Sequence, residues 1–531
     1  MLASLLEPHI AGRPNDPALI DDSGRPISYA ELDVMSRRTA GWLSANGITP
    51  GDRVAVWLVN RVEWLALLFG LARIGASLVA VNTRFRSAEL ETVLERSGAR
   101  LLILQHGFRK IDFPAVLAGA RQAAFRAIDR IAVLDADAST PSSIAGKPVV
   151  AFDAMDRTYP PPAECADPHA IAAMFTTSGT TSGPKLVMHT QHTIAFHARH
   201  VARGTGLAEP GARLLGVLPL CGVFGFDSTL GAIAAGAPVV LMDTFDGAIA
   251  ARLVRDERIT HVFGADEVFR RMLEAAPGPD QFPSARMFGF AALQPGGADF
   301  ARDAHLLGLP LVGLYGSSEV HALFSVQAPD LPLDERIAGG GRPVAADQAE
   351  VRIRDTTSRA LLPAGQSGEI EIRAPSNFVG YYNNPEATAK AIDADGFFRT
   401  GDVGHLRADG TFVYETRLGD AMRLGGFLVS PEEIEETMRR IPDIADAQVV
   451  AIEIGRATRC VAFVVPVSGA APREADVIAS CAKLMAPFKV PARVWIVDTF
   501  PTTPSANGTK IQRGKLREMA LGFCAADRTE T

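Results

Sequence analysis

The feature that most constrains this chain is an alternation of short, wholly apolar runs with Ala/Leu-rich helical patterns. RVAVWLV (53–59) reads as a buried strand, EWLALLFGLARIGA (63–76) as a helix and SLVAVN (77–82) as the next strand. AELETVLERSGA (88–99) is a second helix before the strand RLLILQ (100–105). Strands apolar on both faces, separated by helices, predict a parallel sheet covered on both sides. The rhythm returns in APVVLMD (237–243), a helix around 248–256, THVFGAD (260–266) and PLVGLYG (310–316). After about residue 338 the pattern changes. IAGGGRPV, AEVRIRD, SGEIEIRA and GTFVYETR alternate apolar and polar positions between turns, which predicts antiparallel strands. Beyond about 420 it becomes α+β. PEEIEETMRRI (431–441) is an amphipathic helix, with Ser430 and Glu433 spaced as a capping box, and ADAQVVAIEI and RCVAFVVPV read as paired strands.

The 531 residues give room for about three domains' worth of core at roughly 100–200 residues each. Aromatic residues are only 7%, so aliphatic and Ala contacts must supply most of that core. The formal charge of −7 argues against a general nucleic-acid binder, which needs a basic surface to displace counterions. Five cysteines, at 165, 221, 460, 481 and 524, form no CxxC pair, so neither a disulfide framework nor a zinc site is supported. MLASLLEPHIAGRP lacks a basic n-region, and there is no run of 18 apolar residues. A soluble cytoplasmic protein is the expectation.

Four segments carry candidate chemistry. In MFTTSGTTSGPKLVMHT (174–190) a strand enters a loop of Thr, Ser and Gly with one lysine, Lys185. Such a loop offers open backbone N–H groups and hydroxyls to phosphate oxygens, although GxxxxGK[ST] spacing is absent; a plain polar surface loop is the alternative. LYGSSEV (314–320) ends a strand at Gly316 and delivers Ser318 and Glu319 at its C-terminal edge, where open α/β sheets bind ligands. Glu319 could hold a hydrated Mg²⁺ or simply face solvent. GFFRTGDVGHLRADGTFVYETRLGDAMRLGGFLVS (396–430) sets Asp402 in a Gly-flanked turn, able to accept from vicinal ribose hydroxyls, with Arg417 available to phosphate. FPTTPSANGTKIQRGKLRE (500–518) places Lys510 on a loop near the C-terminus.

In this order and at these separations, the four segments resemble the adenylate-forming superfamily of acyl-CoA synthetases, adenylation domains and luciferases. ISYAELDVMSRRTAGWL (27–43), GDRVAV (51–56) and GYYNNPEATAKAI (380–392) extend the likeness over nearly the whole chain. The resemblance implies a large N-terminal domain (1–418) of parallel α/β sheets plus a small β-barrel-like part, and a small mobile α+β lid (419–531) hinged at Gly419. It implies ATP-dependent activation of a carboxylic acid to acyl-AMP, then transfer to coenzyme A. Transfer to the phosphopantetheine of a carrier protein, or arrest at the adenylate, is the alternative; a non-catalytic nucleotide or acyl binder is a third reading, and intact Lys510, Glu319 and Asp402 argue against it. Many relatives are dimers, which leaves a homodimer open.

By motif matching, the resemblance assigns Thr177, Ser178, Gly179, Thr180, Thr181 and Lys185 to the phosphate loop. Phe290, Ala291 and Ala292 match the segment along adenine. Tyr315, after which Gly316 ends the strand, is expected near the base. Ser318 is expected at the α-phosphate and Glu319, with Thr180, at Mg²⁺. Asp402 matches the ribose carboxylate, Arg417 the arginine after it, and Lys510 the lysine that closes over the α-phosphate. Arg423, Gly425 and Gly426 match the face where a pantetheine arm enters. Gly419 stands where relatives usually carry Asp or Lys.

The chain also departs from the pattern. TSGTTSGPKL replaces the usual TSGTTGxPKG, Ser318 replaces the commoner Thr, and SANGTK is longer than SGK. Gly222 falls where an aromatic residue or His often gates the acyl tunnel. The expected acyl lining is Gly222, Val223, Phe224, Phe226, Gly264, Ala265, Leu293 and Leu323, largely apolar, so a fatty, aryl or alicyclic acid is expected. Asp266 and Glu267 are expected to face outward. His189, His192, His197 and His200 have partly metal-like spacing, but a helix face is the preferred reading.

Overall fold

The structure, a computed structural model, describes residues 1–108, 111–177, 185–291, 297–424, 427–454, 457–485, 489–505 and 508–529. At 423, 427, 428, 457, 504, 505, 508–510 and 525–529 it describes the backbone alone.

The apolar runs form parallel strands where the alternation predicts them. Ser77–Ala80, Arg53–Trp57, Leu101–Gln105 and Arg130–Leu134 lie side by side in the parallel middle of a nine-stranded sheet. Their apolar side chains divide between two buried clusters, one on each face. The helix Val62–Ile74 fills one face with Trp64 and Phe69 and stops at Gly75, whose φ of 70° is the left-handed conformation a helix C-terminus favours. At one edge, Ile171–Thr176 and Leu186–Thr190 pair antiparallel, followed by Gly380–Tyr381.

A second sheet of thirteen strands holds the repeat of the rhythm. Leu214–Gly216, Val239–Leu241, His261–Ala265, Met287–Ala291 and Leu311–Ser317 are its parallel half. At Leu311–Ser317 the chain turns back into His321–Val326, and pairing becomes antiparallel from there to Glu350–Arg354. The antiparallel strands expected after residue 338 thus continue this sheet. Among the described residues no strand after Arg417 joins either large sheet. Ile444–Ile454 and Ala457–Pro466 pair antiparallel and build separate clusters around Met438, Val449 and Phe463.

The expected capping box at Ser430 is not made. Ser430 precedes the helix Pro431–Arg439, but its hydroxyl donates to the Glu415 carbonyl at 3.4 Å, and Glu433 is drawn instead into an ion pair with Lys489. A capping box is made elsewhere, by Ser28 and Glu31: the Ser28 Oγ accepts from Glu31 N at 3.2 Å, and Glu31 Oε2 accepts from Ser28 N at 2.8 Å.

Candidate active site

The phosphate-loop motif is the connection of an antiparallel hairpin. Leu186 pairs with Thr176, so Thr177 and Lys185 face each other at its mouth. Thr177 N donates to Lys185 O at 3.0 Å, and Lys185 N donates to Thr177 Oγ1 at 3.2 Å. Ser178, Gly179, Thr180 and Thr181 lie outside the described residues, as do Ala292, Leu293, Gly425 and Gly426.

Across the hairpin, Tyr381 joins two groups the sequence reading left separate. Lys185 Nζ stands 4.7 Å from the centre of the Tyr381 ring, and the Tyr381 hydroxyl donates to Glu319 Oε1 at 2.9 Å. Burial and the Glu319 carboxylate both push the Tyr381 phenol up, so it stays a donor. Phe378 N donates to Glu319 O at 2.7 Å, and Glu319 Oε2 has no hydrogen bond among the described residues. Glu319 is half-buried, with one carboxylate oxygen held and one open. Hard oxygen donors of this kind suit Mg²⁺, which is bound through one or two carboxylates plus phosphate oxygens.

A second constellation surrounds Asp402, only 4% exposed. Tyr315 Oη donates to its Oδ2 at 2.6 Å and Arg417 donates to its Oδ1 at 2.6 Å. Asp402 does not lie in the expected turn but within the strand Phe398–Leu406, paired in register with Arg417, and its N–H donates to Thr400 Oγ1 at 2.9 Å. Burial raises the Asp402 carboxyl above its usual range, and the Arg417 charge opposes this. Tyr315 and Tyr381 pack in one buried cluster, and Tyr315 stands four residues before the Glu319 that Tyr381 holds, which brings the two constellations to one site. Gly316 lets the strand enter its turn. A Cβ there would stand 2.5 Å from His321 O and 2.6 Å from Ala322 Cα.

Other expected residues are placed differently. Phe290 packs among Phe269, Phe288 and Phe300 in the core, so a ligand along Met287–Ala291 meets backbone and not that ring. Phe226 is fully buried against Trp64 and Phe175, and Leu323 is 2% exposed; both serve the core. Val223 and Phe224 are half-buried at the start of the helix Val223–Ala235, next to Gly222 at its N-cap. Gly264 and Ala265 pair in register with Phe290 and Ala291. Asp266 does not face outward: it is 1% exposed, in the first turn of the helix Asp266–Ala275, where free backbone N–H groups favour a carboxylate. Glu267 is half-buried. Gly419 has nothing within 4 Å of a Cβ position, and Lys510 pairs with Thr503 in the hairpin Thr502–Ser505/Gly508–Ile511.

Of the four histidines, His189 lies on a strand and the others on the helix Gln191–Gly204. His189 and His197 converge on Asp227 and His321, which the sequence reading did not connect. No local signal could have joined residues 94 positions apart. Tyr381 was within reach, because it stands inside the GYYNNPEAT segment.

Residues 6–382 match the model of the AMP-binding enzyme family, and residues 433–507 match that of the AMP-binding enzyme C-terminal domain. The chain belongs to this family. A 3-[(3aS,4S,7aS)-7a-methyl-1,5-dioxo-octahydro-1H-inden-4-yl]propanoyl:CoA ligase of Rhodococcus jostii (strain RHA1) is 30% identical over 511 residues, covering 94% of this chain and 95% of the relative. A 3-hydroxybenzoate–CoA ligase of Aromatoleum sp. (strain CIB) is 30% identical over 533 residues, covering 96% and 95%. Among solved structures, ATP-bound MatB from Rhodopseudomonas palustris superposes with a TM-score of 0.81 at 25% identity, over 98% of this chain and 99% of that one.

Proposed function

We propose that the chain activates a carboxylic acid with ATP and passes the acyl group to coenzyme A. The observation that carries this reading is the Tyr315–Asp402–Arg417 cluster beside Glu319, Tyr381 and Lys185: a carboxylate for ribose, a cation for phosphate and an acidic metal ligand gathered where the two large sheets meet. In the first half-reaction an acid oxygen attacks the α-phosphorus, the bond to the β-phosphate oxygen breaks, and pyrophosphate leaves with the charge. Lys185 and the loop amides neutralise that charge, Ser318 donates toward the α-phosphate, and Asp402 accepts from the ribose hydroxyls. Positioning and electrostatics do most of the work in such transfers. Glu319 would hold Mg²⁺, which when bound would supply charge neutralisation to the phosphates. In the second half-reaction the thiol gives its proton to solvent, its sulfur bonds the acyl carbon, the bond from that carbon to the phosphate oxygen breaks, and AMP leaves.

The lid is the segment 419–531 turning at Gly419, with Lys510 serving the first half-reaction and the 423–426 face the second. The two relatives named above act on acids that carry rings, and Val223, Phe224, Gly264 and Ala265 are apolar or small, which supports an aryl or alicyclic acid for this chain. The test is mass spectrometry of reactions holding ATP, Mg²⁺ and a panel of fatty, aryl and alicyclic acids, with and without coenzyme A. Acyl-CoA formed only with coenzyme A supports the reading. Acyl-adenylate that persists in its presence points to a carrier protein, and no adenylate with any acid rejects activation altogether.

A further inference from the structure

Behind Glu319 the structure buries a polar cluster that the proposed chemistry does not use. Asp227 Oδ1 and His321 Nδ1 are hydrogen-bonded at 2.9 Å, and Ala322 N donates to Asp227 Oδ2 at 2.8 Å. His189 Nε2 donates to Ser318 O at 2.8 Å, and His197 Nε2 donates to Ala322 O at 2.7 Å. The His189 and His197 rings lie 3.9 and 4.6 Å from that of His321, centre to centre. All four side chains are buried.

The cluster is costly. His189 Nδ1 and His321 Nε2 find no partner among the described residues, and a buried polar atom without a partner is destabilising. His321 and Leu323 adopt φ of 68° and 59°, left-handed values that non-glycine residues seldom take. Packing alone would be served better by apolar side chains. Nor is a metal centre a good account. The His197 and His321 rings are stacked within 10° of parallel, so an ion in the plane of one lies out of the plane of the other, and three of the four side-chain groups already hold the backbone of one turn.

What the bonds have in common is that turn. They tie Ser318, His321 and Ala322 to three elements: the strand leaving the phosphate loop, the helix Gln191–Gly204, and the helix Val223–Ala235 whose first turn carries the acid-side Val223 and Phe224. We propose that Asp227, His189, His197 and His321 form a buried clamp that fixes the Ser318–Glu319 turn against the phosphate-loop strand and the acid-side helix. Asp227 and His321 are then positioning residues for adenylate formation. Strain held at such a turn is the kind that surrounding structure must over-determine. The inference rests on the acid-activation reading.

The test compares side chains that do or do not reproduce each donor. Asn places its amide nitrogen where Nδ1 stands and tolerates a left-handed φ, whereas Gln reaches the Nε2 position instead. His321→Asn should keep a third or more of the wild-type rate of ATP–pyrophosphate exchange. His321→Gln and Asp227→Asn should lose tenfold or more and need more Mg²⁺ for half-maximal rate. All should form thioester from supplied acyl-adenylate within about twofold of wild type. His197→Gln, which keeps a donor near Nε2, should likewise outperform His197→Leu. Equal rates in His321→Asn and His321→Gln, or equal loss in both half-reactions, would overturn the clamp. So would failure of every variant to fold, which would make the cluster a stability element. Absence of exchange in the wild type itself would sink the functional reading, and the clamp with it.

Discussion

At the scale of single residues, Tyr381 has two tasks. Its ring faces the Lys185 ammonium and its hydroxyl holds one oxygen of Glu319. Tyr381→Phe keeps the first and removes the second. We expect adenylate formation to slow about 5–20-fold and the Mg²⁺ requirement to rise. The melting temperature should scarcely move, because half-buried Glu319 can take a water in place of the phenol. Unaltered Mg²⁺ dependence in this variant would show that the phenol does not orient Glu319. Asp402→Asn breaks the bond to Arg417 as an ion pair and removes one acceptor. The KM for ATP should rise about tenfold or more, equivalent to about 1.4 kcal/mol, while the variant stays folded. A wild-type KM would remove Asp402 from the nucleotide site.

At the scale of elements, two glycines at the site have opposite tolerances. Gly316 ends the Leu311–Ser317 strand where a Cβ would run into the backbone of His321 and Ala322. Gly316→Ala must therefore shift the Glu319 turn, and both stability and adenylate formation should fall, the latter by about two orders of magnitude. At Gly222 a Cβ meets only Pro219 O, at 3.6 Å. Gly222→His should fold normally and shorten the largest acid accepted, read as a changed ranking across the acid panel at constant melting temperature. An unchanged ranking would place the acid elsewhere. These tolerances were not legible in the sequence. Gly316 read there as a strand-end glycine and Gly222 as a position where relatives carry a larger side chain, but only the neighbouring backbone shows how much room each has.

At the scale of the whole molecule, the buried histidines set the acid limit of stability. Burial lowers His197 and His321 to about 3 and His261 to about 4, and lowers His189 well below its usual value. Burial raises Asp227 and Glu435 to about 7. The paired Asp227 and His321 bind one proton in the folded state over the range where unfolded histidine also binds one, so they cancel. His189, His197 and His261 remain, opposed by Glu435. Over these groups the unfolded chain binds more protons than the folded one below about pH 6.5, and stability should fall as pH drops through that window. Denaturant midpoints at pH 7.5 and 5.5 check this, and a flat profile would contradict it. At the same scale, Lys510→Ala should slow adenylate formation greatly and spare thioester formation from supplied acyl-adenylate. Equal loss in both would reject an alternating lid.

The sequence by itself determined the alternation of parallel strands and helices, the change to antiparallel strands, and the order of the charged motifs. These depend on hydrophobic period and on local turn chemistry, which neighbouring residues carry. The strand entering the loop at Thr177 was legible for the same reason, but the strand that returns after Lys185, where a helix was expected, and the strand that carries Asp402, where a turn was expected, were not. The tertiary structure alone decided which side chains within those motifs face the site. Phe226 and Leu323 sit in apolar segments expected to line the acid pocket and Phe290 in the segment expected along adenine, yet each strand or helix presents one face inward, and theirs is the core. Asp266 went inward because a helix begins there. The joining of Tyr381 to Glu319, 62 residues away, and of Asp227 to His321 came from sheet pairing and helix packing, in which distant residues meet through contacts no local pattern encodes.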